Sequence, residues 1–323
     1  MLQCERYYPA TGAIEAVEPA QLPALLAQPD VVLWIDLTRP DEEQLHWLAE
    51  TFHLHPLAVE DLHNQRQRPK VDRYDDYLFV SLRVAHYHKR SHRFDTHELD
   101  MILGTNYLVT VHQNALPGLE HVRHRWEQTH PAGVAAPFLF YLVLDSVVDG
   151  YFPIVDAIGD RIDTLDVEIF ANATQASLQS IFTLRRSLLS IRKVLGPTRD
   201  MLNELLRLVE ESPGQAALRA YYIDVFDHVL RLTDFIDTYR DMLSGSLEAY
   251  QSTLANQLNT NMQRLTVGAT VLATATVITG FYGMNLRGLL INSAWPYGGH
   301  ALLITLVVVT IIELWLFRRK GWI

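Results

Sequence analysis

The sequence predicts an α/β domain followed by a long stalk helix and two transmembrane helices, and three observations predict it. Short apolar, β-branched runs separated by turn signals occupy the first part of the chain. From about Ala136 onward apolar residues recur only at helical spacing, and after Gly214 no proline appears until Pro296. Two stretches near the end, 265–286 and 288–312, contain no Asp, Glu, Lys or Arg.

The elements follow in order. Val31-Val32-Leu33-Trp34-Ile35 is a short strand ending at Asp36, and 77–84 is another. The runs 101–103 and 107–111 flank Gly104-Thr105-Asn106, which reads as a hairpin turn. Pro40-Asp41-Glu42-Glu43 ahead of Leu45, Leu48 and Phe52 predicts a helix with acidic residues in its first turn, where the macrodipole favours them. These elements make residues 1–135 an N-terminal cytoplasmic α/β domain. Residues 136–213 read as a cytoplasmic helical hairpin, interrupted near 172–174, at Gly196-Pro197 and at Ser212-Pro213-Gly214. The stalk helix occupies 214–264 and runs on into the first span. At about 1.5 Å per residue such a helix reaches roughly 100 Å.

The first transmembrane helix is assigned to 265–285, the external loop to 286–299 and the second helix to 300–317. The tail 318–323 carries Arg318, Arg319 and Lys320 immediately after the second span, which marks the cytoplasmic side. Trp295, Tyr297, Trp315 and Trp322 stand where interfacial aromatics are expected. An even number of spans puts both termini in the cytoplasm. Met1-Leu2-Gln3-Cys4-Glu5-Arg6-Tyr7 lacks the apolar core of a secretory signal.

Composition excludes several classes. The net charge of −10 is held by the part ahead of the first apolar run, since the residues after Leu286 are net positive. With only Lys70, Lys89, Lys193 and Lys320 as lysines and no basic stripe, nucleic acid is not an expected partner. The single cysteine, Cys4, permits no intrachain disulfide. No phosphate-binding loop, dinucleotide fingerprint, C-x-x-C, H-E-x-x-H or G-x-S-x-G occurs, so no enzyme is expected. Without a site for ATP, transport would run on an ion's own gradient. For a divalent cation this is about 4.6 kcal/mol per 100 mV.

Two spans per chain cannot enclose a water-filled path, so a pore requires several copies around an axis. The first span suits the lining: Gly268, Ala269, Ala273, Ala275 and Gly280 allow close packing, and threonines 266, 270, 274, 276 and 279 carry hydroxyls. Membrane threonines also bond their own backbone, and spacing leaves two faces open. One face, counted back from Asn285, holds Gly280, Thr276, Ala273, Ala269, Leu265, Met262 and Asn259.

Tyr282-Gly283-Met284-Asn285, at the end of the first span, resembles the pore-mouth signature of the CorA family of divalent metal-ion (magnesium/cobalt) transporters, of which ZntB-like zinc transporters are a neighbouring subgroup. Trp34-Ile35-Asp36-Leu37, the segments 55–62 and 67–71, Tyr221-Tyr222-Ile223-Asp224-Val225-Phe226-Asp227-His228 and the tail 317–322 are similar too. The resemblance implies a CorA-like pentameric funnel in the bacterial inner membrane. It selects the face just described as pore lining, with Asn259 and Thr276 polar and Met262 and Leu265 forming a gate. It makes Tyr282, Gly283, Met284 and Asn285 the selectivity filter, holding a hydrated ion by its water shell.

The same resemblance implies cytoplasmic metal sensing between subunits by Asp224 and Asp227. Asp227, Asp234, Asp241 and Glu248 recur every seven residues, a spacing that a solvated helix face also explains. The partner position, usually acidic in the family, aligns with His88 in 86–92, with Asp95 as the acidic alternative. Imidazole favours Zn²⁺, Co²⁺ or Ni²⁺ over Mg²⁺. His86 and His88 would share a strand face, with His92 and His97 nearby.

Two further departures stand out: Ala273 is small for its place, and the loop 286–299 has Arg287 and no acid. The expected function is gated Mg²⁺ uptake, with Co²⁺ and Ni²⁺ as further cargo and no organic cofactor. The alternatives are a proton-coupled ZntB-like Zn²⁺ transporter and a non-conducting membrane-tethered metal sensor.

Overall fold

The computed structural model describes residues 2–8, 13–28, 30–64, 67–88, 90–128, 135–211, 218–284 and 298–322. The chain divides into two compact units, Met1–Val167 with Gln175–Ser246, and Glu168–Thr174 with Leu247–Ile323.

The first unit is built on a sheet of strands β1 (Leu2–Tyr8), β2 (Ala13–Ala16), β3 (Val32–Thr38), β4 (Lys70–Arg73), β5 (Leu78–His88), β6 (Arg93–Leu103) and β7 (Tyr107–His112). Their order is β2-β1-β3-β7-β6-β5-β4, and only the β3–β7 pair is parallel. The β6–β7 hairpin turns at Gly104, as the sequence predicts, with the Gly104 N–H bonded to the Tyr107 carbonyl at 3.0 Å. A Cβ there would lie 2.1 Å from the Tyr107 ring, which is why the turn needs glycine.

One sheet face carries Leu33, Ile35, Leu37, Ile102, Val109 and Val111 into a core with the helices α1 (Leu22–Leu26), α2 (Glu42–Thr51) and α3 (Pro56–Asn64). The predicted acidic start of α2 is a capping box, in which Asp41 accepts from the Gln44 N–H at 2.8 Å. The opposite face packs against α5 (Ala135–Asp149), beside α4 (Pro117–Gln128). Alternation along β3 decides which residue goes where. Trp34 and Asp36 point to this second face, Trp34 edge-on to Trp126. There Asp36 is buried, and both Thr110 Oγ1 and His112 Nε2 reach its Oδ1.

Two more helices, α6 (Phe152–Ala171) and α7 (Gln175–Glu210), follow. The break expected at Gly196-Pro197 does not occur: Pro197 stands inside α7. A mid-helix proline costs about 3 kcal/mol. Leu195, Met201 and Leu202 on either side are buried, and each such side chain returns about 1.5–3 kcal/mol. Packing therefore wins over the proline.

The helix α8 (Arg219–Gly283) runs for 65 residues and α9 (Gly298–Arg319) for 22. By length and composition three stretches could cross a membrane: Ala136–Ala171, Arg219–Gly283 and Gly299–Arg319. In the first, 72% of the apolar window is buried inside the protein, so its hydrophobicity belongs to the core. In the other two that share is 6% and 0%, so few of their apolar side chains are buried within one chain.

Candidate functional site

Two regions hold the residues singled out above, and each is built within one unit. The first is the apolar part of α8. Asn259, Met262, Leu265, Ala269, Ala273, Thr276, Gly280, Gly283 and Met284 are all exposed. Met262 is 65% and Leu265 73% exposed. Val267, Thr270, Val271, Thr274, Ala275, Ile278 and Tyr282 are more covered and recur at helical spacing on the other side. On that side Thr274 Oγ1 donates to Glu313 Oε1 of α9 at 2.6 Å. The candidate lining therefore faces away from the Thr274–Glu313 contact, open to whatever surrounds the chain.

The threonines separate by their hydroxyls. Those of 266, 270, 276 and 279 donate to the carbonyls of 262, 266, 272 and 275 on their own helix, at 2.8–2.9 Å. Thr276 has thus committed its proton, and its oxygen remains free to accept. Thr274 is the one of the five whose hydroxyl proton goes to another helix. Asn285 and residues 286–297, Arg287 among them, lie outside the described residues.

The second region lies in the first unit, where two groups of metal-ligating side chains converge. One contains His86, His88 and Asp95; the other contains Asp145, Asp224 and His228. His88 Nε2 lies 3.0 Å from Asp95 Oδ2, so the two candidates for one role are neighbours. They are neighbours because β5 and β6 are antiparallel and pair His86 with Asp95.

Asp224 is exposed on α8, and His228 follows one turn later with Nε2 at 3.9 Å. His228 Nδ1 is 2.9 Å from Asp149 Oδ1, while Asp145 accepts from Arg125 Nη1 at 2.7 Å. Burial above all, and then the charge of Asp145, pushes the Asp149 carboxyl above its ordinary range, against the pull of His228 and Arg125. Among the described residues neither Asp224 nor Asp227 pairs with Lys or Arg, and both are exposed, so their hard oxygens remain available to a cation. Neither convergent group joins His88 to Asp224 within one chain.

Sequence reasoning missed Asp145, Asp149 and His228 as neighbours of Asp224. For His228 the i,i+4 spacing was a usable signal. The two α5 carboxylates are 79 and 75 residues away from Asp224 in sequence, and only packing brings them near.

Comparison with known proteins completes the picture. The sequence profile described as CorA-like Mg²⁺ transporter protein matches residues 29–319. The cobalt/magnesium transport protein CorA of Thermotoga maritima is 32% identical over 297 residues, which cover 90% of this chain and 83% of that protein. The complete structure of the CorA magnesium transporter of Methanocaldococcus jannaschii superposes with a TM-score of 0.80 at 22% identity, covering 100% of this chain and 99% of that one. The cytoplasmic domain of ZntB from Vibrio parahaemolyticus is similar in fold, with a TM-score of 0.60 at 13% identity, over 79% of this chain and 99% of that domain.

Proposed function

The chain belongs to the CorA family of divalent-cation (Mg²⁺/Co²⁺) transporters, and from that premise we propose that it is a passive, pentameric channel of the bacterial inner membrane. The carrying observation is the exposed face of α8. Asn259, Met262, Leu265, Ala269, Ala273, Thr276 and Gly280 share it, and α9 does not cover it. In a membrane protein such a face is completed by lipid or by copies of the same chain. Small residues at 269, 273 and 280 favour copies packed closely around an axis.

In this reading Met262 and Leu265 form a bulky apolar constriction that excludes water when the helices close. Thr276 and Asn259 offer acceptor oxygens to a hydrated ion, and Tyr282 to Asn285 form the outer filter. Mg²⁺ gives up its waters reluctantly, so amide and hydroxyl oxygens act on its hydration shell. The membrane potential supplies about 4.6 kcal/mol per 100 mV for a divalent ion, enough for more than a thousandfold accumulation. No other energy source is needed.

Gating falls to Asp224 and Asp227, facing His88 or Asp95 of a neighbouring copy. A cytoplasmic cation there offsets the repulsion between carboxylates, and its loss loosens the closed state. Both termini lie in the cytoplasm in this arrangement.

The test is flux from purified chain in liposomes for Mg²⁺, Co²⁺, Ni²⁺ and Zn²⁺, with and without a pH gradient. Asn285→Ala is expected to abolish Mg²⁺ flux while the oligomer survives. Unchanged conduction would refute the filter assignment. Zn²⁺ flux alone, lost on collapsing the pH gradient, would overturn the Mg²⁺ reading. No flux of any ion would leave only a sensor.

A further inference from the structure

The β5–β6 hairpin carries a cluster that ion conduction does not use. On one face of this antiparallel pair the register sets His86 opposite Asp95, His97 opposite Val84, and His88 opposite Arg93. Residues two apart along a strand share a face, so His86, His88, Asp95 and His97 stand together. The His86 and His88 rings are 4.6 Å apart, and His86 and His97 are 5.4 Å apart. One ligand atom each from His86, His88 and Asp95 lies within 4.8 Å of the others. A tetrahedral centre with bonds of about 2.1 Å needs ligand atoms roughly 3.4 Å apart. Small rotations of exposed side chains close the difference, and His88 and Asp95 are already at 3.0 Å.

We propose that His86, His88 and Asp95 form a transition-metal site contained within a single chain, with His97 beside it as a fourth donor. Two imidazoles and one carboxylate are a borderline donor set, which binds Zn²⁺, Ni²⁺ or Co²⁺ and has little use for Mg²⁺. Mg²⁺ requires hard oxygens in an octahedron, and this face offers one carboxylate. Arg93 on the same face adds positive charge, which further disfavours a weakly held, purely electrostatic cation while leaving coordination to neutral imidazole. Asn114 Nδ2 donates to His97 Nδ1 at 2.9 Å, which orients the ring; coordination through Nε2 requires the Asn114 amide to turn its Oδ1 toward an Nδ1–H. The site is complete without Asp224 or a second subunit; it shares His88 and Asp95 with the gating contact proposed above, but it concerns binding within one chain rather than flux.

The test uses the full chain in detergent, stripped with chelator and titrated calorimetrically with Zn²⁺, Co²⁺ and Mg²⁺, with Co²⁺ also followed by its visible absorption. The His86→Ala/His88→Ala double variant and Asp95→Asn are compared with Asp224→Asn/His228→Ala. Losing one supporting hydrogen bond at a metal site costs roughly 10–100-fold in affinity. Removing both imidazoles is therefore expected to weaken one Zn²⁺ equivalent per chain by at least about 100-fold, and Asp224→Asn/His228→Ala is expected to retain that equivalent. All the substituted hairpin residues are exposed, and an unchanged melting temperature checks that the fold persists. Unaltered Zn²⁺ stoichiometry and affinity in both hairpin variants would overturn the proposal. So would displacement of bound Co²⁺ by equimolar Mg²⁺, or loss of the equivalent in Asp224→Asn/His228→Ala alone.

Discussion

Asp100 shows how a single side chain can set a property of the whole domain. It lies inside the sheet on β6, directly opposite Ser81 of β5, and one of its oxygens has no hydrogen-bond partner. Burial pushes its carboxyl from 3.8 up to about 7. Ser81 and Arg83 oppose the rise, whereas Glu98 and Asp61 add to it. The folded state therefore keeps a proton that the unfolded chain releases at an ordinary carboxylate pH. Stability contributed by that proton is present in acid and is lost as pH climbs toward neutrality. Melting of the full chain across this window should show wild type losing stability relative to Asp100→Asn as pH rises. A wild type that gained on the variant would have the sign reversed and refute the assignment.

Other residues named from the sequence find structural work at the same scale. Asp36, in the Trp34–Leu37 segment, is the buried acceptor for Thr110 and His112. In the 67–71 segment Lys70 bridges Asp61 and Asp72 at 2.6 and 2.7 Å, and the Gln67 carbonyl accepts two bonds from Arg83. These segments hold the sheet's polar contacts together.

Among the described residues, one side-chain hydrogen bond joins α8 to α9 in an apolar setting. Glu313 receives the Thr274 hydroxyl, and its second oxygen has no partner among the described residues. Acidic side chains are rare inside membranes and are held by partners. Thr274→Val keeps the shape and removes the donor, so it should destabilise the folded chain by about 1–3 kcal/mol. Adding Glu313→Leu should recover most of that loss, since both polar groups are then gone. Thermal melting in detergent measures both. Equal destabilisation by Thr276→Val, whose hydroxyl serves only its own helix, would remove any special role for Thr274.

For the whole molecule, the question is what completes the exposed α8 face. Pentamer formation should appear as an oligomer of five 36.9 kDa chains by native mass spectrometry. Gating belongs to this scale as well. Asp224→Asn/Asp227→Asn removes the carboxylates to which the proposed metal sensing is assigned while changing no buried core residue. Its Mg²⁺ flux in liposomes should no longer depend on Mg²⁺ at the cytoplasmic face. Retained dependence would transfer the sensing role elsewhere, and the cluster around Asp145 and His228 would be the next place to look.

The strands β3, β5, β6 and β7, the acidic cap of α2, the Gly104 turn and the apolar C-terminal helices were legible in the sequence, whereas β1, β2, β4, α1, α3 and α4 were not named from it. Each is a local property: periodicity, capping chemistry, turn conformation and hydropathy act over neighbours only. The family signature at 282–285 is local too. Tertiary structure alone decided that 136–171 is core, that α7 runs through Pro197, and that Thr274 serves Glu313. It likewise brought His86, His88 and Asp95 to one face and set Asp145 and Asp149 beside the Asp224–His228 turn. Those outcomes depend on strand register and helix packing between residues far apart in the chain. Pairing of that kind is chosen by the burial of whole faces, and no short window of sequence contains both partners.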